Sequence, residues 1–145
     1  MTDAAGLGRE FSTAVVMFHE AVAHRLGLTA VDHKALGVIV RDGPMAASRL
    51  ARQLAMKPSA VTGLVDRLVA AGYVTRNSDP LDRRRVLISA DGGEYPELIA
   101  IFQRLGREMT KLAERYDSAQ LDAIMDYLTN ATTVLREQTT ALVRE

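Results

Sequence analysis

The most constraining feature of this chain is the order of short elements over residues 46–91. A brief helical pattern at about 46–55, with Met45 as a one- or two-residue strand before it, precedes a second helix that opens at Pro58. Pro58 suits the first helical position, where its missing N–H has no partner to lose. Apolar residues then recur at helical spacing, at Val61, Leu64, Val65, Leu68 and Val69. The pattern predicts two helices joined by a tight turn.

A β-hairpin is predicted directly after this second helix. Gly72 is expected to end the helix, and Tyr73–Arg76 and Arg85–Ser89 are rich in β-branched or aromatic residues. The connection between them contains the turn formers Asn77, Asp79, Pro80 and Asp82. Two short helices followed by a hairpin indicate a winged helix-turn-helix, which we assign to residues 29–91.

Charge is unevenly distributed along the chain. The whole chain has 18 basic and 18 acidic residues, yet residues 41–85 carry nine basic and four acidic side chains. Arg83, Arg84 and Arg85 stand together at the predicted hairpin tip. Adjacent arginines repel one another, so such a tip favours contact with a polyanion. Duplex DNA, with its phosphate-lined grooves, is the expected partner.

Helical periodicity also covers both ends of the chain. Phe11, Val15, Phe18, Val22 and Leu26 predict an amphipathic helix that ends near Gly27, within residues 7–27. A second helix is predicted from a Thr29 cap to the break at Asp42-Gly43-Pro44. The fold class is therefore mainly α with a small β-wing, in one domain over residues 1–145.

Two long helices are predicted over residues 92–145. The first is expected to start at an Asp91-Gly92-Gly93 cap, to tolerate Pro96 in its first turn and to run to about Tyr116, and the second to be capped by Ser118. Their apolar stripes are too long to be buried on so small a domain, which predicts a homodimer. The candidate dimerisation residues are Phe11, Leu112, Leu121, Met125, Leu128, Leu135 and Leu142.

The outer face of the helix at about 58–71 is small, polar and flat. A merely solvated helix face more often carries Glu and Lys than Thr62 and Gly63. Gly63 fits either close approach to DNA or a helix-packing contact. The candidate DNA-binding residues are Ser48, Arg49, Lys57, Ser59, Ala60, Thr62, Gly63, Arg67, Arg76, Asp82, Arg83, Arg84 and Arg85.

Other functional classes have little support in the sequence. The chain has no cysteine, no run of apolar residues long enough for a membrane span, and neither a catalytic-triad order nor a phosphate loop. We therefore expect a cytoplasmic protein without catalytic residues or cofactors. His19, His24 and His33 are the only histidines, and no metal ligand is assigned to them. A metal-responsive regulator and a non-specific architectural DNA-binding protein remain as alternatives.

The motifs resemble the MarR family of bacterial transcriptional regulators. The resemblance is carried by Leu50-Ala51, by Lys57–Thr62, by Leu64–Leu68, by Gly72–Arg76 and by Asp79–Arg84. It implies a dimer built from the terminal helices, a recognition helix in the major groove and a wing, residues 77–85, in the minor groove. It further implies that Asp82 orients Arg84, and that the protein is a repressor at a palindromic operator, released by a small aromatic or phenolic ligand.

Some positions depart from the family pattern. Arg49 replaces a usual Glu, Gly63 replaces a larger residue, and Lys57 stands where a capping residue is usual. No ligand-binding residue is assigned. Met17, Phe18, His19, Val22, Tyr95 and Phe102 are candidates for a pocket, but their helical spacing favours a plain core.

Overall fold

The computed structural model describes residues 3–90 and 95–144 and contains six helices and one hairpin within those ranges. In chain order the elements are α1 (Ala4–Leu26), α2 (Ala30–Asp42), α3 (Ala47–Leu54), α4 (Pro58–Ala70), β1 (Thr75–Ser78), β2 (Val86–Ser89), α5 (Pro96–Ala113) and α6 (Ser118–Arg144). The predicted fold class, mainly α with a small β-wing, is confirmed.

Several helix ends follow the predicted capping chemistry. Gly27 adopts a left-handed conformation (φ 70°) directly after α1, a backbone geometry that glycine allows. The Thr29 side chain accepts a hydrogen bond from the Asp32 N–H at 3.1 Å and so caps α2. Pro58 begins α4, as its sequence position predicts.

The beginnings and ends of the last two helices correct the sequence analysis. The helix α5 begins at Pro96 and ends at Ala113, three residues before the predicted Tyr116. Ser118 is the first residue of α6 rather than its cap. Asp117 is the cap, because its carboxylate accepts from the Gln120 N–H at 2.8 Å. The predicted cap at Asp91-Gly92-Gly93 lies outside the described residues.

The wing is a two-stranded antiparallel sheet with Thr75 opposite Ser89 and Ser78 opposite Val86. Its first strand begins two residues later than predicted, because the Tyr73 N–H donates to the Leu68 carbonyl oxygen of α4 at 2.9 Å. The Tyr73 ring stacks on Tyr95 at 5.6 Å. The Tyr73 hydroxyl also donates to the Leu26 carbonyl oxygen at 3.1 Å. The predicted short strand before α3 is confirmed as a bridge between Met45 and Ile88.

The core lies within a unit that we call the reading head, formed by α2, α3, α4, β1 and β2. Leu36, Leu50, Leu64 and Leu68 are completely buried there. We call α1, α5 and α6 the terminal helices, and neither α5 nor α6 has a buried residue. No helix in the described ranges has the length and apolar character needed to cross a membrane.

Candidate nucleic-acid interface

The helix α4 has one buried face and one open face. Val61, Leu64, Val65 and Leu68 lock it into the reading head. The open face carries Ser59, Ala60 and Thr62, all exposed, together with the half-buried Gly63. The Thr62 hydroxyl donates to the Pro58 carbonyl oxygen at 3.1 Å, which keeps this side chain close to the helix surface. The result is a shallow surface that the rest of the described chain leaves uncovered.

The environment of Gly63 decides between its two sequence interpretations. A Cβ atom at Gly63 would have one neighbour within 4 Å, the Nη1 atom of Arg67 at 3.6 Å, which is an ordinary contact. No second helix among the described residues requires a glycine here, so the packing explanation is wrong within this chain. Close approach of an outside molecule remains the better explanation.

Lys57 precedes α4 and makes no capping bond with its side chain. Its ammonium group is exposed, as are Ser48 and Arg49 at the start of α3. The first N–H groups of a helix attract anions, and a phosphate is the anion that DNA offers there. The geometry leaves these three side chains free to meet a DNA backbone.

Arg67 differs from the other predicted DNA contacts, because its guanidinium is already bound within the chain. Its Nε and Nη2 atoms donate to the two carboxylate oxygens of Asp32 at 2.9 and 2.8 Å. Asp32 is only 2% exposed. The hydrogen bond from Arg67 is the main cause that lowers the pKa of Asp32 below its usual value. Arg67 therefore ties α4 to α2, in addition to any contact with DNA.

Arg76 holds the base of the wing against α4. Its Nη2 atom lies 2.6 Å from the Asp66 carboxylate, on the exposed side of that helix. This exposed ion pair connects the start of the hairpin to α4. Arg83, Arg84 and Arg85 follow at the tip, and all three are exposed.

Asp82 contacts Arg84 through the backbone. The Asp82 carboxylate accepts a hydrogen bond from the backbone N–H of Arg84 at 3.0 Å. It therefore shapes the turn that carries Arg84, which is compatible with the expectation that Asp82 orients this arginine. The Arg84 guanidinium has no hydrogen bond recorded within the described residues.

A cavity of about 1080 Å³ is lined by residues of α2 and α3 in the reading head and of α1, α5 and α6 in the terminal helices. Its wall combines apolar and aromatic groups with several cations. The cationic side chains are Lys34, Arg41, Arg52 and Arg136. The sequence analysis missed these four residues, because they come from three helices and share no spacing pattern.

An imidazole pair forms part of the cavity wall. The His19 Nδ1 and His33 Nε2 atoms lie 3.3 Å apart, and both rings stack on Phe102 with centroids about 6 Å apart. Burial lowers the pKa of His19 to about 4, and burial also lowers the pKa of His33. The His33 Nδ1 atom is buried and has no hydrogen-bond partner in the described chain. Both imidazoles are therefore neutral at pH 7.

The preference for a plain core is only partly confirmed. Val22 is buried, and Phe18 packs edge-on against Phe102. Tyr95 donates its hydroxyl to the Tyr73 carbonyl oxygen. His19 and Phe102 line the cavity instead, and Met17 is 60% exposed. Helical spacing could not distinguish a filled interior from one left open.

The predicted dimerisation residues are mostly uncovered. Leu128, Leu135 and Leu142 on α6 are 46%, 68% and 70% exposed. Phe11 on α1, Leu112 on α5 and Met125 on α6 are also exposed, and Leu121 is half-buried. Leu135 in addition lines the cavity. So many exposed apolar side chains on α1, α5 and α6 are typical of an interface surface.

The histidines do not form a three-residue metal site. No group of three or more His, Cys, Asp or Glu side chains suited to a metal is found among the described residues. His24 is exposed near the end of α1 and does not join the imidazole pair.

A helix-turn-helix with an open recognition face and an arginine-tipped wing defines a DNA-binding regulator of the winged-helix class. Residues 26–85 match the model of the MarR family. The chain is 35% identical over 132 residues to an uncharacterised HTH-type transcriptional regulator, YcgE of Bacillus subtilis, covering 91% of this chain and 86% of that protein. The chain belongs to the MarR family of transcriptional regulators, and it is not an enzyme.

Solved structures agree with this fold. A MarR protein from Peptoclostridium difficile has 16% identity and a TM-score of 0.70, with 98% of this chain and 94% of that chain covered. CouR from Rhodococcus jostii bound to p-coumaroyl-CoA has 23% identity and a TM-score of 0.62, with 92% of each chain covered. A mutant of S. aureus MepR bound to an oligodeoxyribonucleotide has 19% identity and a TM-score of 0.60, covering 93% and 99%.

Proposed function

We propose that this protein is a homodimeric repressor that binds a palindromic operator and is released by a small aromatic anion. The observation that carries the proposal is the open face of α4 beside the arginine-tipped wing. Major-groove recognition needs a helix whose outer face can reach base edges, and Ser59, Thr62 and Gly63 leave that approach open. The wing arginines supply positive charge next to it.

In this proposal residues 58–71 enter the major groove, and the wing, residues 77–85, follows the adjacent minor groove. The Arg76–Asp66 ion pair joins the base of the wing to α4, so both elements are near enough to meet one duplex together. Arg84 and its neighbours sit near phosphates or in the groove, where negative potential is strongest when the groove is narrow. Lys57, Ser48 and Arg49 contact the backbone and set the register.

Dimerisation is proposed to use the terminal helices. The exposed leucines of α6, Phe11 of α1 and Leu112 of α5 have no cover within the described chain. A two-fold axis through this surface places two copies of α4 about one DNA turn apart, ~34–36 Å. A palindromic operator matches this symmetry.

The cavity is proposed to hold the releasing ligand. It adjoins both the reading head and the terminal helices, so a bound molecule there can change how the two are arranged. Phe102 and the two imidazoles offer flat apolar faces, and Lys34, Arg41, Arg52 and Arg136 favour a negative group. That CouR is bound to p-coumaroyl-CoA supports an aromatic acid or its thioester as the ligand class.

The test measures binding of the full chain to a fluorescent duplex from the DNA that flanks its own coding region. An equal-length scrambled duplex serves as competitor, and two salt concentrations are used. We expect tighter binding to the native flank and a steep loss of affinity with salt. An aromatic acid such as p-coumarate or its coenzyme A thioester should then weaken binding to the native flank.

Other results of this test would favour one of the two alternative functions. Equal affinity for both duplexes would indicate an architectural protein and would contradict operator recognition. Release by Zn²⁺ but by no aromatic acid would favour metal response through the His19–His33 pair.

A further inference from the structure

Leu81 is an apolar side chain held almost entirely in solvent at the tip of the wing. It is 95% exposed, more than any other large apolar residue of the described chain. The next most exposed is Tyr127, at 72%. Single exposed leucines are common on protein surfaces. Leu81 differs from such leucines in the hydrogen bonds that hold its backbone and in the arginines that follow it.

Hydrogen bonds fix the backbone around Leu81. The buried Asp79 carboxylate accepts from the Leu81 N–H at 2.9 Å, and the Asp79 N–H donates to the Arg85 carbonyl oxygen at 2.9 Å. The Arg85 N–H donates to the Asp82 carbonyl oxygen, also at 2.9 Å. Pro80 fixes φ immediately before Leu81. A turn bonded in this way presents Leu81 outward and prevents it from folding back onto the protein.

Leu81 lies next to the wing arginines in the sequence. Arg83, Arg84 and Arg85 follow within four residues, and each is exposed. Arg76 forms an ion pair with Asp66 of α4, so the base of the wing lies beside the proposed recognition helix. An apolar group surrounded by cations fits a polyanion that has an apolar interior. The minor groove, with phosphates at its edges and base and sugar faces at its floor, has this character.

We propose that Leu81 is a wedge that enters the minor groove while the wing arginines lie against its phosphates. Proteins of the minor groove use leucine among other apolar side chains to separate base steps and bend the duplex. Leu81 would thereby add sequence preference through DNA deformability, because some base steps open more easily than others. The inference rests on the proposed function.

The experiment compares the wild type, Leu81→Ala, Leu81→Met and Val86→Ala on the native-flank duplex. Val86 is a matched control, because it is an exposed apolar residue at the start of β2, directly after the tip arginines. The readouts are the dissociation constant, its slope against salt, and energy transfer between dyes at the two ends of the duplex, which reports bending.

Leu81→Ala is expected to weaken binding roughly tenfold, from the loss of buried apolar surface. The salt slope should stay constant because no charge is removed. Bending should decrease with Leu81→Ala, and Leu81→Met and Val86→Ala should behave like the wild type.

Three results would overturn the wedge. Unchanged affinity and bending in Leu81→Ala would show that the side chain touches nothing. A weaker complex with a smaller salt slope would show that Leu81 only supports the arginines. A lower sedimentation mass of the free Leu81→Ala protein would place Leu81 in a protein interface. Failure of the proposed function is distinct, since the wild type itself would then show no preference for the native flank.

Discussion

The reading head and the terminal helices differ in how much of their apolar surface is buried within the chain. Leucines of α2, α3 and α4 are fully buried in a shared core, whereas α5 and α6 have no buried residue in the described chain. The buried apolar cluster of the head is formed by the head's own residues. The exposed apolar residues of the terminal helices are the surface that the proposed dimer would cover. We therefore expect mutations in the terminal helices to reduce dimerisation and DNA binding, and mutations in the reading head to reduce folding stability.

The largest effect is expected from a charge placed in the proposed dimer stripe. Leu128→Asp puts a carboxylate on an apolar interface, where a lone buried charge is very unfavourable. We expect the sedimentation mass to fall to that of one chain and tight DNA binding to disappear. Asn130→Asp is the matched control, because Asn130 is exposed on the opposite side of α6. A dimeric Leu128→Asp protein would contradict the assignment of this helix face.

A mutation that removes buried apolar volume from the core of the reading head should instead lower the stability of the fold. Leu64 is fully buried, so Leu64→Ala should lower the free energy of unfolding by about 2–5 kcal/mol. Val69→Ala on the same helix, at a 37% exposed position, should cost much less. Urea titration followed by circular dichroism measures both. Equal effects of the two mutations would mean that the head lacks the packed core described here.

The Asp32–Arg67 pair should contribute a pH-dependent part of the stability of the head. Because the folded pKa of Asp32 lies below its ordinary value of 3.8, the contribution is complete above pH 3.8. It is lost as the pH falls through the lower, folded pKa. Asp32→Asn should therefore lower the melting temperature at pH 7, and its difference from the wild type should shrink in acid.

The corresponding control for this pair is Asp42→Asn, since Asp42 is bound by Arg41 on the exposed side of α2. Its effect should be small, because exposed ion pairs contribute little. A pH-independent difference between Asp32→Asn and the wild type would show that the ion pair does not stabilise the folded head.

The smallest predicted effect concerns a single cation of the wing. Arg84→Ala should weaken binding several-fold and reduce the salt slope by about one for each wing that contacts DNA. The folded head should be unaffected, since the Arg84 side chain is exposed. Unchanged affinity and an unchanged slope would remove the wing from the interface.

Sequence reasoning succeeded where the physical cause was local. Pro58 and the apolar stripe after it located α4, and Gly27 and Thr29 marked the junction between α1 and α2 because their capping chemistry is short-range. It was wrong at Ser118, where two neighbouring residues both suit a cap and the carboxylate of Asp117 takes the position.

Long-range relationships were beyond the sequence patterns. Asp32 and Arg67 are 35 residues apart, and nothing in their spacing indicates that they meet. The cavity wall is likewise assembled from five helices, so His19 and Phe102 looked like ordinary core residues. The open apolar stripes of α5 and α6, by contrast, were evident from periodicity alone.

The most direct test of the account is sedimentation velocity with a fluorescent native-flank duplex and increasing amounts of the full chain. A homodimeric repressor is expected to form one complex that adds two chains, twice 15.8 kDa, to the duplex. The complex should form on the native flank at protein concentrations that leave a scrambled duplex free. A complex with a single chain, or equal loading of both duplexes, would contradict the proposal that two reading heads recognise one operator.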